Sequence, residues 1–566
     1  MRAISTALLC VSLISALLPS EADACGCFTP PNPAVPVVQA GERILFAVKN
    51  GEVTAHIQVL YQGGEAEFGW LLPLPSVPTL ELGNDELFAR LLTATQPQYR
   101  LSIQRASECY FAYSSGGGAA TGGGTGGGFG GADAGTSGPP VLVIESSVGP
   151  YDYAVLRADS KSEMLAWLTT NHYFVPAGTD DSVTPYIHEG GYFLALKLRP
   201  GKSTGDLQPV VLRYQSDYGA IPITLTATGA SDNMGVQVWM LGEGRAIPRN
   251  YHHTVINDAA IDWVNGGANY NSVIIRAVGE APERHTFVTE YSGSGAGVKS
   301  ALLPAGRFGT QSEFASAATA EDFVSLLFQR GFQGPTPLNP WGAQTLSGTL
   351  KAILAGYLPP PPDVNLDTFY ANYAFFKPNA PAQNYQPVAM AQEIWDRVVV
   401  PSQRAAELFD THPTLTRLYT TMSSGDMNRD PAFSFNTSLA PVSNIHNATM
   451  RISCPTSPYA QVGLLTTEQG WSIEYPQGQF GSPFVSLDSL PASLRVEIEK
   501  EEGPSQVIID NLVKQATIAT TSTRFFTGTI ETPEPKEPKG GRSCSTGIGE
   551  LGALALVAFG LRRRKH

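Results

Sequence analysis

The sequence predicts an α+β, β-rich fold: an antiparallel sheet-dominated N-terminal domain with a few helices, followed by a mixed helical and strand region. Runs of alternating apolar and polar residues recur through the first half, and a few helices with clear start signals interrupt them. The 566 residues include 57 Gly and 43 Pro, which indicates many turns. An apolar content of 42% is enough for a sizeable core.

The first element is a β-hairpin. Residues 44–49 and 53–61 flank Asn50-Gly51, a dipeptide typical of tight hairpin turns because both turn positions need positive φ. His56 lies on the face opposite the apolar residues of its strand, so we expect a solvated side chain. Seven more alternating runs predict strands at 99–103, 141–144, 192–198, 210–214, 223–226, 236–239 and 287–291.

Polar residues mark the starts of three helices. Asn84 precedes 85–92, whose early acidic residues suit the positive end of the helix dipole. Ser160 and Thr319 are each followed three residues later by an acidic residue, in the pattern of a capping box. Further along, the sequence predicts helices at 388–399, 402–410 and 415–422 and strands at 494–499 and 506–510.

Composition divides the chain into segments. A glycine- and proline-rich stretch near residue 331 separates a β-rich domain, 25–330, from a mixed region, 338–530, which we expect to pack on the first. Residues 114–140 are about half glycine and predict a flexible insertion, because they hold too little apolar surface to offset ordering. A linker of prolines and charges, 531–543, leads into the tail, 544–566.

The N-terminus has the pattern of a secretory signal peptide. Residues 1–24 combine a positive start, a short apolar stretch and a small-residue cleavage motif, so cleavage is expected between Ala24 and Cys25. Two alternatives stay open: an uncleaved membrane anchor, for which the apolar stretch is short, and a lipoprotein acylated on Cys25.

The C-terminus combines a cysteine, an apolar segment and a basic cluster. Residues 548–561 would cover about 21 Å as a helix, too little for a comfortable span, and favour a transient membrane contact. This order resembles the myxobacterial C-terminal sorting signal (MYXO-CTERM), which implies removal by envelope sorting machinery and transfer to the cell surface. The alternative is a weakly anchored tail. The residues that carry the resemblance are Cys544, Arg562, Arg563 and Arg564.

Removal of both ends would leave four of the 6 cysteines. In an exported protein, Cys25, Cys27, Cys109 and Cys454 suggest two disulfides. A bond between Cys25 and Cys27 would be strained, so we expect each of them to pair with either Cys109 or Cys454. Alternatively, Cys25 and Cys27 form a metal or redox site, or the thiols are free.

Catalytic motifs are absent from the sequence: it has no Walker loop, no His-Glu-x-x-His and no Gly-x-Ser-x-Gly. The formal charge of −13 disfavours nucleic-acid binding. The two pairs that most resemble part of a functional site are His252-His253 and His188-Glu189. Adjacent residues on a strand face opposite ways, however, so a metal shared by His252 and His253 is disfavoured.

A possible calcium loop lies at 426–430. Asp426, Asn428 and Asp430 have the alternating oxygens of such a loop, but Pro431 and Thr437 occupy positions that an EF-hand gives to Gly and Glu. The pattern therefore favours an ordinary turn after a helix, and no cofactor or metal is predicted.

Several motifs in order carry a second resemblance. Residues 68–78 (FGWLLPLPSVP) and 148–156 (VGPYDYAVL) are followed by a helix with Trp167 and Asn171, then Tyr173 and 186–197; the mature start, 24–28 (ACGCF), belongs to the same set. Together these segments resemble the bacterial domain of unknown function 2330 family. The resemblance implies an exported envelope protein and brings no assigned chemistry.

These observations favour an exported cell-envelope or surface-displayed protein with a binding or structural role toward an unidentified surface ligand, without catalysis of its own. One alternative is a secreted hydrolase whose site is assembled from scattered residues. Another is metal or redox handling through Cys25 and Cys27.

Overall fold

The computed structural model describes residues 40–58, 69–107, 109, 141–157, 160–173, 179–188, 190–202, 206–227, 230–333, 346–454, 461–475, 486–515 and 525–527. All of them belong to one compact unit, Met1–Thr527. A second unit, Gly528–His566, lies outside the described residues.

The described strands and α-helices, in chain order, confirm the predicted β-rich α+β class. The strands are β1 (Ala40–Lys49), β2 (Glu52–Gln58), β3 (Gly69–Leu74), β4 (Thr79–Leu82), β5 (Gln98–Arg105), β6 (Val141–Val148), β7 (Tyr151–Arg157), β8 (Tyr192–Leu198), β9 (Val210–Gln215), β10 (Gly219–Ala220), β11 (Met234–Gly242), β12 (Arg245–Pro248), β13 (His252–Ile256), β14 (Thr286–Ser294), β15 (Thr414–Met422), β16 (Ala432–Asn436), β17 (Ile445–Ser453), β18 (Val462–Thr467), β19 (Trp471–Tyr475), β20 (Ser493–Ile498), β21 (Gln506–Asp510) and β22 (Phe525–Thr527). The helices are α1 (Asp85–Thr95), α2 (Lys161–Thr170), α3 (Thr179–Val183), α4 (Ile223–Thr226), α5 (Tyr270–Glu280), α6 (Ala296–Leu302), α7 (Gln311–Ala315), α8 (Ala320–Gln329), α9 (Gly348–Tyr357), α10 (Leu366–Ala371), α11 (Tyr373–Phe376), α12 (Pro387–Ile394) and α13 (Val400–Thr411).

A ten-stranded mixed sheet organises the molecule, in the order β21-β20-β13-β14-β15-β11-β1-β2-β9-β4. One of its faces packs against a four-stranded sheet, β3-β8-β7-β6, through a shared apolar core. The other face is covered by α1, α6 and α13 through a second core that includes Leu45, Phe88 and Trp239. Both faces of the central strands are therefore buried.

The predicted hairpin is confirmed, with one correction. Asn50 and Gly51 have φ of 54° and 76°, and β1 pairs with β2 from Lys49↔Glu52 onward. His56, however, is only 3% exposed, because α1 covers the sheet face that the pattern assigned to solvent. Burial, with a smaller contribution from Arg213, lowers the pKa of His56 to about 3.

The helix predicted at 415–422 is wrong: these residues lie within β15, between β14 and β11 in the ten-stranded sheet. Leu415, Leu418 and Tyr419 enter three different apolar cores. A strand buried on both faces loses the period-2 alternation that would identify it. Since this strand comes from beyond residue 338, both predicted regions contribute strands to one sheet.

The strand predicted at 223–226 is also wrong, since these residues form the single helical turn α4 after Pro222. Ile223 and Leu225 are buried in two different cores, which gives the same short alternation that a strand would show.

The three predicted N-caps are confirmed, and the reciprocal capping box is formed at Thr319 but not at Ser160. The Asn84 side chain accepts a hydrogen bond from the Glu86 amide at 2.7 Å. Ser160 accepts one from the Glu163 amide, and Thr319 forms a reciprocal capping box with Asp322.

Helices α8 to α12 form a layer with its own apolar core. The helices predicted at 388–399 and 402–410 are present as α12 and α13, and a π-helical turn, Trp395–Val399, joins them. The strands predicted at 494–499 and 506–510 are present as β20 and β21 at one end of the ten-stranded sheet.

A disulfide joins Cys109 to Cys454, with their Cα atoms 5.6 Å apart. The expected pairing of each of these cysteines with Cys25 or Cys27 is therefore wrong. The reason is that β5 and β17 are parallel neighbours in register from Gln98↔Ile445 to Arg105↔Ile452, which carries both cysteines to the same place. Both strands belong to a five-stranded sheet, β22-β19-β18-β17-β5.

Candidate functional site

The strongest candidate site is a buried cluster of His253, Glu497 and Glu499 near the β21 edge of the ten-stranded sheet. One potential ligand atom from each side chain lies within 4.8 Å of the others. His253 on β13 is the direct cross-strand partner of Glu497 on β20, and Glu499 follows two residues later, just past the strand end. Because side chains alternate along a strand, both glutamates reach the same face.

An arginine from β12 completes the cluster. Arg245 Nη2 donates a hydrogen bond to Glu499 Oε1 at 2.7 Å and lies 3.3 Å from Thr289 Oγ1. The same nitrogen is 3.1 Å from His253 Nε2. A guanidinium only donates hydrogen bonds, so this contact makes Nε2 the acceptor and assigns the imidazole proton to Nδ1.

The remaining polar atoms of the cluster are incompletely satisfied. His253 Nδ1 lies 3.5 Å from Glu499 Oε1 and 3.7 Å from Glu497 Oε2, beyond an ordinary hydrogen bond. In the described part of the chain, neither Nδ1 nor Glu499 Oε2 has a hydrogen-bond partner. Since the His253 and Glu499 side chains are only 6% and 0% exposed, water does not readily supply one.

The third acid borders the solvent. The Glu497 side chain is 13% exposed, more than those of His253 and Glu499. The neighbouring His253 holds the pKa of Glu497 below its usual value despite the opposing effect of burial. The cluster thus presents one imidazole nitrogen and carboxylate oxygens, a donor set that suits a divalent cation.

Other buried charged residues form ion pairs with one another. The fully buried Arg417 pairs with Glu290, which also accepts a hydrogen bond from Tyr270 Oη at 2.6 Å. Arg307 and Glu86 form a second pair, 2.6 Å apart, with both side chains under 5% exposed. Each charge in these pairs has its countercharge at hydrogen-bond distance, as buried ions require.

The histidines singled out in the sequence separate as the strand geometry predicts. His252 Nδ1 lies 3.1 Å from the His285 carbonyl oxygen, whereas His253 enters the cluster. His188 is exposed, and Glu189 lies outside the described residues.

The oxygens of the possible calcium loop do not converge. Asp426 accepts hydrogen bonds from the Ser423 amide and Arg284, whereas Asp430 accepts from Thr224 and Tyr186. Each carboxylate therefore holds a different part of the chain. The turn follows strand β15, and not a helix as predicted.

The predicted positions at the two ends lie outside the described residues. They are Ala24, Cys25, Cys27, Cys544, Arg562, Arg563 and Arg564. Cys109 and Cys454, the other two disulfide candidates, are bonded to each other.

Sequence reasoning missed the glutamates of the cluster. The usable signal was two acids, Glu497 and Glu499, at i and i+2 in a predicted strand, so that both face one side. The partner could not be found this way, because His253 comes from a strand more than two hundred residues earlier.

Fold and site together define a β-rich α+β protein with a buried histidine–carboxylate cluster. Residues 19–321 match the family described as "Uncharacterized protein conserved in bacteria (DUF2330)", and the chain belongs to this family. No curated protein and no solved structure matches the chain significantly. Within the part of the chain that the structure describes, no helix has both the length and the apolar character to cross a membrane.

Proposed function

We propose that this protein is an exported component of the bacterial cell envelope. It is displayed at the cell surface, where it has a binding or structural role and catalyses no reaction. The observation that carries the proposal is the Cys109–Cys454 disulfide, which spans 345 residues. Cytosolic thiols are kept reduced, whereas disulfides persist in exported proteins. A stabilising bond of this kind supports a protein that works outside the cytoplasm.

The sequence of the two ends supports the same proposal. Residues 1–24 have the pattern of a cleaved signal, and Cys544 with the basic cluster 562–564 has the order of a surface-sorting tail. In this proposal the sorting machinery removes the tail, and the apolar segment 548–561 contacts the membrane only transiently.

Protease treatment of intact cells tests the proposal. We expect protease added to intact cells of the source bacterium to degrade the mature protein while a periplasmic marker stays intact. A variant truncated after residue 543 controls for sorting, and we expect the intact cells to display much less of it. Complete resistance in intact cells, with digestion after lysis, would contradict surface display. A cytosolic protein with free thiols at Cys109 and Cys454 would contradict export itself.

A further inference from the structure

We propose that His253, Glu497 and Glu499 form a binding site for a divalent transition-metal ion of the zinc class. The cluster brings one imidazole nitrogen and two carboxylates together from paired strands. Its buried atoms His253 Nδ1 and Glu499 Oε2 have no hydrogen-bond partner among the residues that the structure describes. Buried polar atoms are nearly always satisfied, so these two point to a missing ligand. The inference does not depend on where the protein is located.

The distances fit such an ion. In a tetrahedral site with metal–ligand bonds of about 2.0 to 2.2 Å, neighbouring ligand atoms lie about 3.3 to 3.6 Å apart. His253 Nδ1 is 3.5 Å from Glu499 Oε1 and 3.7 Å from Glu497 Oε2. Both separations are too long for ordinary hydrogen bonds, but the first already lies within this range and the second needs to shorten by only about 0.1 Å.

The donor set selects the class of ion. Calcium takes six to eight oxygen ligands, and magnesium keeps several waters in an octahedral shell. The buried Glu499 side chain, 0% exposed, leaves little room for such shells. Three protein ligands that include an imidazole suit a four-coordinate zinc-class ion, with water entering the fourth position past the partly exposed Glu497.

Arg245 supplies the positive charge in the metal-free state. Its hydrogen bond to Glu499 Oε1 offsets one of the two negative charges, while Glu499 Oε2 has no partner among the described residues. For the metal to bind Nδ1, the imidazole proton has to move from Nδ1 to Nε2. Protonated Nε2 would then face Arg245 Nη2, which is also a donor, so the guanidinium has to move away from Nε2 and direct its two Nη2 hydrogens at Glu499 and Thr289.

Calorimetric titration of the mature chain with Zn²⁺ tests the proposal. We expect wild type to bind one equivalent of Zn²⁺ that is lost, or weakened at least tenfold, in Glu497→Gln and Glu499→Gln. The matched control is Glu502→Gln, which removes the same charge from an exposed side chain a few residues away. Binding in both cluster variants within twofold of wild type would overturn the proposal, and so would a site that takes Ca²⁺ but not Zn²⁺.

Two further measurements keep the test decisive. Circular dichroism checks that the variants fold; if Glu499→Gln does not, Glu497→Gln decides, because its side chain is the most exposed of the three ligands. Co²⁺ substitution separates this site from Cys25 and Cys27. We expect bound Co²⁺ to give d–d absorption bands without a thiolate charge-transfer band. We also expect Glu497→Gln to change these d–d bands. A thiolate band as the sole cobalt signal would overturn the assignment.

Discussion

Burial shifts the pKa of several single residues in this protein. Asp258 is the clearest acid: burial, with a smaller effect from the nearby Glu468, raises its pKa to about 7. Its carboxyl group is thus held in an environment that favours the neutral form. Gln469, in the turn between β18 and β19, accepts a hydrogen bond from the Asp258 amide at 3.0 Å.

The raised pKa of Asp258 predicts a pH-dependent loss of stability. The folded state binds the proton more tightly than the unfolded state, so the free energy of unfolding falls as pH rises from about 4 to about 7 and then levels off. A shift of this size corresponds to roughly 4 kcal/mol. We expect Asp258→Asn to remove this decline when urea unfolding is measured between pH 4.5 and 8.

The control for Asp258→Asn is Asp488→Asn, which changes a side chain that is 87% exposed. It should follow the wild-type pH profile. Parallel profiles for wild type and Asp258→Asn would show that the Asp258 carboxyl is not the group responsible.

At the scale of elements, helix starts were predictable from short polar motifs, whereas the central strand β15 was not. Ser160 and Thr319 begin α2 and α8 as expected, because a cap depends on residues three positions apart. β15 was missed because both of its faces are buried and both carry polar as well as apolar residues, so its sequence shows no period-2 alternation. His56 was misjudged for the same reason, since α1 covers its face of the sheet.

The capping box of α8 gives a prediction at this scale. Thr319 Oγ1 accepts the Asp322 amide hydrogen bond at 3.1 Å, and the Asp322 carboxylate accepts from the Thr319 amide at 3.2 Å. We expect Thr319→Ala to lower the free energy of unfolding by about 1 kcal/mol in urea denaturation. Thr319→Ser keeps the hydroxyl and should cost much less; equal losses in the two variants would contradict a capping role.

At the scale of the whole molecule, the disulfide and the sheet connect distant parts of the sequence. β11 pairs in parallel with β1 and antiparallel with β15, so residues from near the start, the middle and the later part of the described chain share one sheet. The Cys109–Cys454 bond adds a covalent link past the ends of β5 and β17, two strands that already run side by side.

Removal of this disulfide should destabilise the whole unit. We expect Cys109→Ser and Cys454→Ser each to lower the free energy of unfolding by about 2 to 5 kcal/mol, because the bond restricts the unfolded chain. The double variant should lose no more than either single variant, since both remove one bond. Urea unfolding measures the loss, and peptide mapping without reductant checks the pairing. Additive losses would contradict a shared bond.

The sequence by itself determined the class of fold, the Asn50-Gly51 hairpin and the helix caps, because each depends on residues close together in the chain. Only the tertiary structure decided which cysteines pair, which face of a strand is buried and that His253 meets Glu497 and Glu499. These outcomes depend on sheet order and register, which are set by packing among strands hundreds of residues apart and leave no local pattern in the sequence.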